Sequence, residues 1–187
     1  MARGANPWHT RLNAMHQLLL LRHAKSAQDD PTLPDHARPL NARGRDAAAA
    51  MRMVFRSLGL APDVVLVSSA LRTRQTLAAL EPWDDTPIVE PLDQLYLAPA
   101  ERMLTVLRQV AETVRSVLVI GHNPGMHDLA LLLKNGHAPG AHAHALADGF
   151  PTAALAEFSV PGPWAELGPG QARLMRFLRP RDLPLHP

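Results

Sequence analysis

The chain has no cysteine in 187 residues. This absence excludes disulfide frameworks, thiolate metal sites and cysteine nucleophiles. Long apolar runs are missing too, since the longest are far below the ~20 residues needed to cross a bilayer. We therefore expect no membrane partner and a cytoplasmic location. Residues 1–15 lack the apolar stretch of a secretory signal, so we expect a flexible N-terminal extension, with Met15 a plausible start, followed by a single domain over residues 16–187.

Aromatic residues and unbalanced charge are also scarce. The sequence contains three Trp, one Tyr and four Phe, and its 19 basic residues nearly balance 17 acidic ones. Scattered basic residues with so few aromatic neighbours are a poor pattern for stacking on bases, so we expect no nucleic-acid partner. Hydrophobic residues make up 47% of the chain, which is typical of a globular domain that folds on its own.

Short apolar runs alternate with longer segments of helical periodicity, which predicts an α/β fold with a mainly parallel sheet. The predicted strands are residues 17–21, 64–67, 117–120, 153–160 and 172–178. The predicted helices are residues 42–58, 70–80, 99–113 and 124–133. The last two strands are expected to form an antiparallel edge hairpin. Residues 135–149, rich in Gly, Ala and His, are expected to form a mobile loop.

Polar residues follow three of the predicted strands. Arg22 and His23 follow the first, Arg72 lies shortly after the second, and His122 and Asn123 follow the third. In parallel sheets the carboxyl ends of strands share one edge, where ligands gather. A neutral imidazole can attack phosphorus, and arginine holds phosphate oxygens in pairs. The pattern therefore indicates phosphoryl transfer without a metal or a cofactor.

These motifs resemble those of the histidine phosphatase superfamily. They are Arg22-His23, the segment Ser-x-x-x-Arg-x-x-Gln-Thr ending at Thr76, and Gly121-His122-Asn123, and the similarity extends over about residues 16–180. Within the superfamily the chain is most similar to the small SixA-like phosphohistidine phosphatases. The resemblance implies a three-layer α/β/α sandwich of the phosphoglycerate mutase-like type.

The resemblance also implies roles for individual residues. His23 is the nucleophile, Arg22 and Arg72 bind phosphate, and His122 donates a hydrogen bond to the transferring group. Asn123 and Ser26 are further candidates for phosphate binding, although serine after a strand is common turn chemistry. Arg74, two residues past Arg72, is expected to point to solvent.

The sequence departs from the family pattern at several positions. Ala24 and Lys25 replace a glycine and an acidic residue, and Asp29 stands where many relatives have asparagine, so we expect Asp29 to face the rim or to pair with a cation. Asp93 is the nearest match for the general acid of the mutase-like branch, with a structural loop role as the alternative. A phosphoramidate has a good leaving group once its nitrogen is protonated, so a missing acid favours phosphohistidine on a protein as the substrate.

Two other functions remain open at this point. One is a phosphatase or mutase acting on a small phosphate ester, and the other is a phospho-ligand binding protein without catalysis. We expect a monomer, although the sequence does not set the oligomeric state.

The remaining expectations concern protons and metals. If His23 attacks as the neutral base while His122 acts protonated, the rate profile should be bell-shaped on the acidic to neutral side. His137, His142 and His144 suggest a metal site, but their Gly/Ala surroundings favour a plain loop. Arg38 is expected at the pocket rim or in a structural salt bridge, and Trp164 in packing.

Overall fold

The computed structural model describes residues 15–136 and 140–183 and contains one six-stranded sheet. The strands are β1 (His16–Arg22), β2 (Val64–Ser68), β3 (Ile88–Leu92), β4 (Ser116–Gly121), β5 (Leu155–Val160) and β6 (Arg173–Leu178). The helices are α1 (Ala42–Ser57), α2 (Leu71–Ala78), α3 (Ala100–Leu107), α4 (Gly125–Leu133) and α5 (Gly140–Ala147). Residues 1–14, which hold most of the expected N-terminal extension, lie outside the described residues.

The sheet has the strand order β3-β2-β4-β1-β5-β6. Strands β3, β2, β4 and β1 run parallel, whereas β5 is antiparallel to both β1 and β6. The central strands are runs of branched aliphatic residues buried on both faces, as expected when helices cover both sides of a parallel sheet. The predicted mainly parallel sheet with an antiparallel edge hairpin is confirmed.

Alternate residues of the strands divide the core into two layers. Leu18 and Leu20 of β1 pack in the layer formed with α3, α4 and α5. Leu19 and Leu21 pack in the layer formed with α1 and α2. This is the period-two alternation of a strand between two helical layers, and it gives the three-layer sandwich. Trp164 is fully buried and donates its indole N–H to the Val114 carbonyl at 2.9 Å, which confirms its packing role.

The structure corrects several predicted elements. The segment expected as a mobile loop over residues 135–149 contains α5, because its alanines favour a helix once Leu146 is buried against the sheet. The predicted helix over 99–113 ends at Leu107. Strand β3 was not predicted, since most of it is exposed and it contains Pro91, which is acceptable on an edge strand.

Across the described part of the chain, no helix is both long enough and apolar enough to cross a membrane.

Candidate active site

His23 lies at the carboxyl end of β1, where the chain turns away from the sheet. Its backbone N–H donates to the Gly121 carbonyl at 3.1 Å, and the next N–H, of Ala24, donates to Thr76 Oγ1 at 3.0 Å. The ring Nδ1 is 2.8 Å from the Ala24 carbonyl oxygen. A carbonyl oxygen can only accept, so Nδ1 carries the proton and the lone pair of neutral His23 is on Nε2.

Burial lowers the pKa of His23 to about 4, and the charges of Arg72 and Arg22 act in the same direction. The ring is therefore neutral at physiological pH. A neutral imidazole with Nδ1 already held by the protein presents Nε2 as a base or a nucleophile. Sequence reasoning predicted this residue and its neutral form.

His122 follows β4 and lies beside His23, with 5.0 Å between the ring centroids. Arg72 Nη2 donates to its Nδ1 at 3.3 Å, so Nε2 carries the proton and donates to Ser68 Oγ at 2.8 Å. Burial, followed by the proximity of His23 and Arg72, lowers the pKa of His122 to about 3. The buried site therefore favours the neutral ring in this state, and a protonated His122 during the reaction stays a prediction.

Arg72 comes from the first turn of α2 and is 4% exposed. Its Nη1 donates to the Asp35 backbone carbonyl at 2.6 Å, and its Nη2 donates to Asp35 Oδ2 at 2.9 Å. The guanidinium carbon also lies 5.9 Å from the centroid of the Tyr96 ring. The arginine predicted to bind phosphate is thus held in place by a carboxylate that sequence reasoning missed.

Asp35 begins a short 3-10 helix, Asp35–Ala37, in the loop between β1 and α1. Its carboxylate accepts hydrogen bonds from Tyr96 Oη at 2.6 Å, from Arg72, and from Arg38 Nη1 at 2.8 Å. The Tyr96 hydrogen bond is the main cause that lowers the pKa of Asp35 to about 2, with Arg72 adding to it. The one signal in the sequence was the nearby Arg38, which forms a salt bridge and also lines the cavity.

Arg22, at the end of β1, donates from Nη1 to the Phe150 carbonyl at 2.8 Å. Its Nε is buried and has no hydrogen-bond partner, and burial lowers the pKa of this guanidinium. Within the described residues Arg22 forms no salt bridge. A partly buried cation without a counter-ion is a favourable site for an anion.

Several of these side chains line a cavity of about 290 Å³ at the carboxyl edge of the sheet, whereas His122 is not among its lining residues. It is lined by Arg22, His23, Lys25, Ser26, Gln28, Asp35, Arg38, Arg72 and Thr152. Four of these residues are cationic and one is a carboxylate, so the cavity favours an anion. Gln28 and Thr152 were not predicted, because neither carries a pattern that the sequence alone distinguishes from a surface loop.

Gln75 and Thr76, which end the second motif, form hydrogen bonds to the backbone segments around the site. Thr76 Oγ1 accepts from the backbone next to His23 and donates to the Arg72 carbonyl at 2.7 Å. Gln75 Oε1 accepts from the Leu40 N–H at 2.7 Å. The pair therefore ties α2 to the segments that precede α1 and follow β1.

The other candidate residues lie in varied positions. Asp93 is exposed in the 3-10 helix Asp93–Leu95 and does not line the cavity, so it is not placed as an acid there. Ser26 Oγ accepts from Arg38 Nη2 at 3.3 Å inside the cavity. Asn123 Nδ2 donates to the Phe150 carbonyl at 2.9 Å, and Asn123 lines a neighbouring cavity that shares Arg22. Arg74 is exposed, as predicted.

Asp29 and the later histidines lie apart from the cavity. Asp29 is exposed and outside the lining. His142 and His144 are on α5, and His137 lies outside the described residues. Over residues 15–136 and 140–183, no three His, Asp or Glu side chains are grouped so that they could hold a metal ion.

Comparison with known proteins gives a consistent set of similarities. The profile described as histidine phosphatase superfamily, branch 1, matches residues 18–95. An uncharacterized protein of Mycobacterium tuberculosis is 38% identical over 166 residues, which cover 86% of this chain and all of that protein.

Two solved structures are similar along nearly their whole length. A candidate phosphohistidine phosphatase SixA from Agrobacterium tumefaciens has a TM-score of 0.73 and 32% identity, over 88% of this chain and 97% of that one. The protein histidine phosphatase SixA in complex with tungstate has a TM-score of 0.71 and 26% identity, over 89% of this chain and 98% of that one.

Proposed function

The chain belongs to the histidine phosphatase superfamily, and from this premise we propose that it is a phosphohistidine phosphatase that works through a phosphorylated His23. The observation that carries the proposal is the state of His23. Its Nδ1 is held by the Ala24 carbonyl, its ring is neutral, and it lines a cavity rich in cations. A nucleophile with a free Nε2 in an anion-binding cavity is suited to attack phosphorus.

In the first step His23 Nε2 attacks the phosphoryl group. The N–P bond to His23 forms while the bond from phosphorus to the leaving group breaks, and the electron pair goes to the leaving group. Arg22 has free N–H groups and no carboxylate partner among the described residues, so it binds the equatorial oxygens. Arg72, in the first turn of α2, adds a second positive charge. Fixed charges of this kind lower the activation barrier because the protein does not have to reorganise during the reaction.

In the second step water hydrolyses the N–P bond of phospho-His23. The water oxygen bonds to phosphorus and its protons pass to the released phosphate. The electron pair of the N–P bond returns to Nε2, and the Nδ1 proton stays hydrogen-bonded to the Ala24 carbonyl. This step needs no general acid for the leaving group, since the imidazole of His23 departs neutral. Inorganic phosphate is released and the starting state is restored.

The substrate class follows from the acid–base groups of the cavity. Asp35, with its pKa lowered to about 2, has no proton to give near neutral pH, and Asp93 does not line the cavity. Ester hydrolysis with an alkoxide leaving group gains roughly 10²–10⁴ in rate from a general acid. A protonated phosphohistidine does not depend on that help, which favours phosphohistidine over a sugar phosphate. Lys25, Gln28 and Asp35, which line the cavity, are exposed, which supports access from the surface of another protein.

The test compares phosphate release from a phosphohistidine peptide, an aryl phosphate and phosphoglycerate, with chelator present. We expect the peptide to be the best substrate and His23→Ala to abolish release. His144→Ala is the matched control, because that histidine lies on α5 and bonds to the Gly140 carbonyl. Preference for phosphoglycerate would favour the small-ester alternative. Binding of tungstate without turnover of any substrate would favour a binding protein.

A further inference from the structure

The carboxylate of Asp35 is the one anionic side chain among the residues that line the cavity. A negative charge opposes the binding of a phosphate dianion. Holding Arg38 and Arg72 in place therefore does not by itself explain why the Asp35 carboxylate lines the cavity. Asp35 is 44% exposed at its side chain, whereas its partner Arg72 is 4% exposed. The carboxylate therefore faces both the buried arginine and the open part of the cavity.

The hydrogen bonds of Asp35 leave room for one more donor. Oδ2 accepts from Arg72 Nη2 at 2.9 Å and from Tyr96 Oη at 2.6 Å, whereas Oδ1 accepts from Arg38 Nη1 at 2.8 Å. An ionised carboxylate has about four acceptor positions, so Oδ1 can take a further N–H. The three donors also fix the orientation of the carboxylate.

The position of Asp35 relative to the reacting groups is set by Arg72. The same Nη2 atom donates to Asp35 Oδ2 at 2.9 Å and to His122 Nδ1 at 3.3 Å. Asp35 and His122 thus contact the same guanidinium nitrogen, and Asp35 lines the cavity together with His23, Arg38 and Ser26. In an in-line displacement the leaving group departs on the side opposite the nucleophile, so a leaving group displaced by His23 stays within reach of the other residues that line this cavity.

We propose that Asp35 is a specificity-determining residue that selects leaving groups carrying an N–H cation, namely the protonated imidazole ring of phosphohistidine. The inference rests on the proposed function. The ring N–H of the substrate donates to Asp35 Oδ1, and this contact keeps the ring protonated. When the P–N bond breaks, its electron pair goes to the ring nitrogen, and the imidazole leaves neutral with its other nitrogen still protonated.

The same carboxylate disfavours esters. A phosphate ester leaves as an alkoxide or phenolate, whose developing negative charge is repelled by Asp35. Discrimination therefore comes from attraction of one leaving group and repulsion of the other. This differs from a purely positioning role, in which Asp35 would only hold Arg72 and both substrates would depend on it equally.

The test measures kcat/KM for a phosphohistidine peptide and for p-nitrophenyl phosphate with wild type and Asp35→Asn. Asparagine keeps the size and an acceptor oxygen but removes the charge. We expect the peptide-to-aryl ratio to fall at least tenfold. Asp29→Asn is the matched control, since this carboxylate in the same loop is exposed outside the cavity, and it should leave the ratio unchanged.

An equal loss on both substrates would overturn the inference and leave the proposed function intact. A wild-type protein that turns over the aryl phosphate but not the peptide would overturn both. If Asp35→Asn does not fold, calorimetric titration of the tungstate-loaded wild type decides. Saturable binding of imidazolium, and none of phenol, supports the role of Asp35, whereas equal or absent binding contradicts it.

Discussion

The position of the proton on each of the two buried histidines of the site, His23 and His122, determines which ring nitrogen can act as a base or a nucleophile. Both rings have one nitrogen paired with a group that fixes its role, since a carbonyl holds the His23 Nδ1 proton and Arg72 donates to His122 Nδ1. Burial is the main cause that lowers both pKa values, to about 4 and about 3. The reactive neutral form of His23 is therefore present above about pH 4 and is lost as the pH falls through that value.

We expect NMR titration to show no protonation of His23 or His122 between pH 8 and pH 5. Their ring resonances are assigned by their loss in His23→Ala and His122→Ala. A midpoint near 6.5 for His23, the ordinary value for histidine, would contradict the burial argument.

Arginine geometry at position 72 gives a second prediction. The guanidinium contacts the Asp35 carbonyl, the Asp35 carboxylate and His122 at once, which lysine cannot reproduce. We expect Arg72→Lys to lower kcat/KM by roughly 10²-fold, the scale of losing one preorganised donor. Arg74→Lys, on the exposed side of the same helix, should leave activity unchanged. Equal activity of the two variants would exclude Arg72 from phosphate binding.

Which single residues could be predicted depends on what positions them. Arg22, His23 and His122 lie at or just after the carboxyl ends of strands and Arg72 begins a helix, so the parallel sheet alone brings them to one edge. Asp35 and Tyr96 could not be placed, because each lies in a 3-10 segment or just after one, and no periodicity sets the path of such a loop. The pairing of Asp35 with Arg72 depends on that path.

At the scale of elements, the start of α1 packs directly on the loop that carries His23. A Cβ added at Gly44 would lie 2.0 Å from the Lys25 carbonyl oxygen. The same oxygen accepts the N–H of Asn41, whose side chain caps α1. The first turn of α1 and the backbone after the nucleophile thus form one close contact.

We expect Gly44→Ala to destabilise the protein by about 1–3 kcal/mol and to lower activity, because relief of the clash moves the segment after His23. The readouts are the midpoint of chemical unfolding and kcat/KM. Gly136→Ala is the control, since a Cβ there meets nothing within 4 Å. Unchanged stability and activity of Gly44→Ala would show that Gly44 is not in close contact with the Lys25 carbonyl in solution.

Strand β3 and helix α5 show where element prediction failed. Both have weak patterns, since β3 is an exposed edge strand with a proline and α5 is made of small residues and histidines. Strand β3 forms because it pairs with β2, and helix α5 forms because Leu146 is buried in the core. Such tertiary contacts override local propensity.

For the whole molecule, the buried neutral histidines link the stability to pH. In the unfolded chain both take up a proton near pH 6.5, whereas in the folded state their pKa values are about 4 and about 3. The contribution of the two neutral rings to the free energy of unfolding is complete above pH 6.5 and is lost as the pH falls toward the folded-state pKa values. Each contributes a slope of about 1.4 kcal/mol per pH unit within that window.

Urea unfolding at several pH values between 7 and 4.5 measures this slope. We expect His122→Gln to reduce the slope of the unfolding free energy against pH by the contribution of one histidine, because glutamine does not titrate. Stability that stays constant from pH 6 to pH 5 would contradict the neutral assignment of both rings.

The most direct test of the histidine nucleophile is to trap the phosphorylated protein. The wild type is mixed with a phosphohistidine peptide, quenched in alkali within milliseconds to seconds, and analysed by mass spectrometry of its peptides. We predict one acid-labile phosphoryl group on His23, formed as fast as turnover and absent from His23→Ala. Turnover without any such adduct, or with the adduct on another residue, would contradict it.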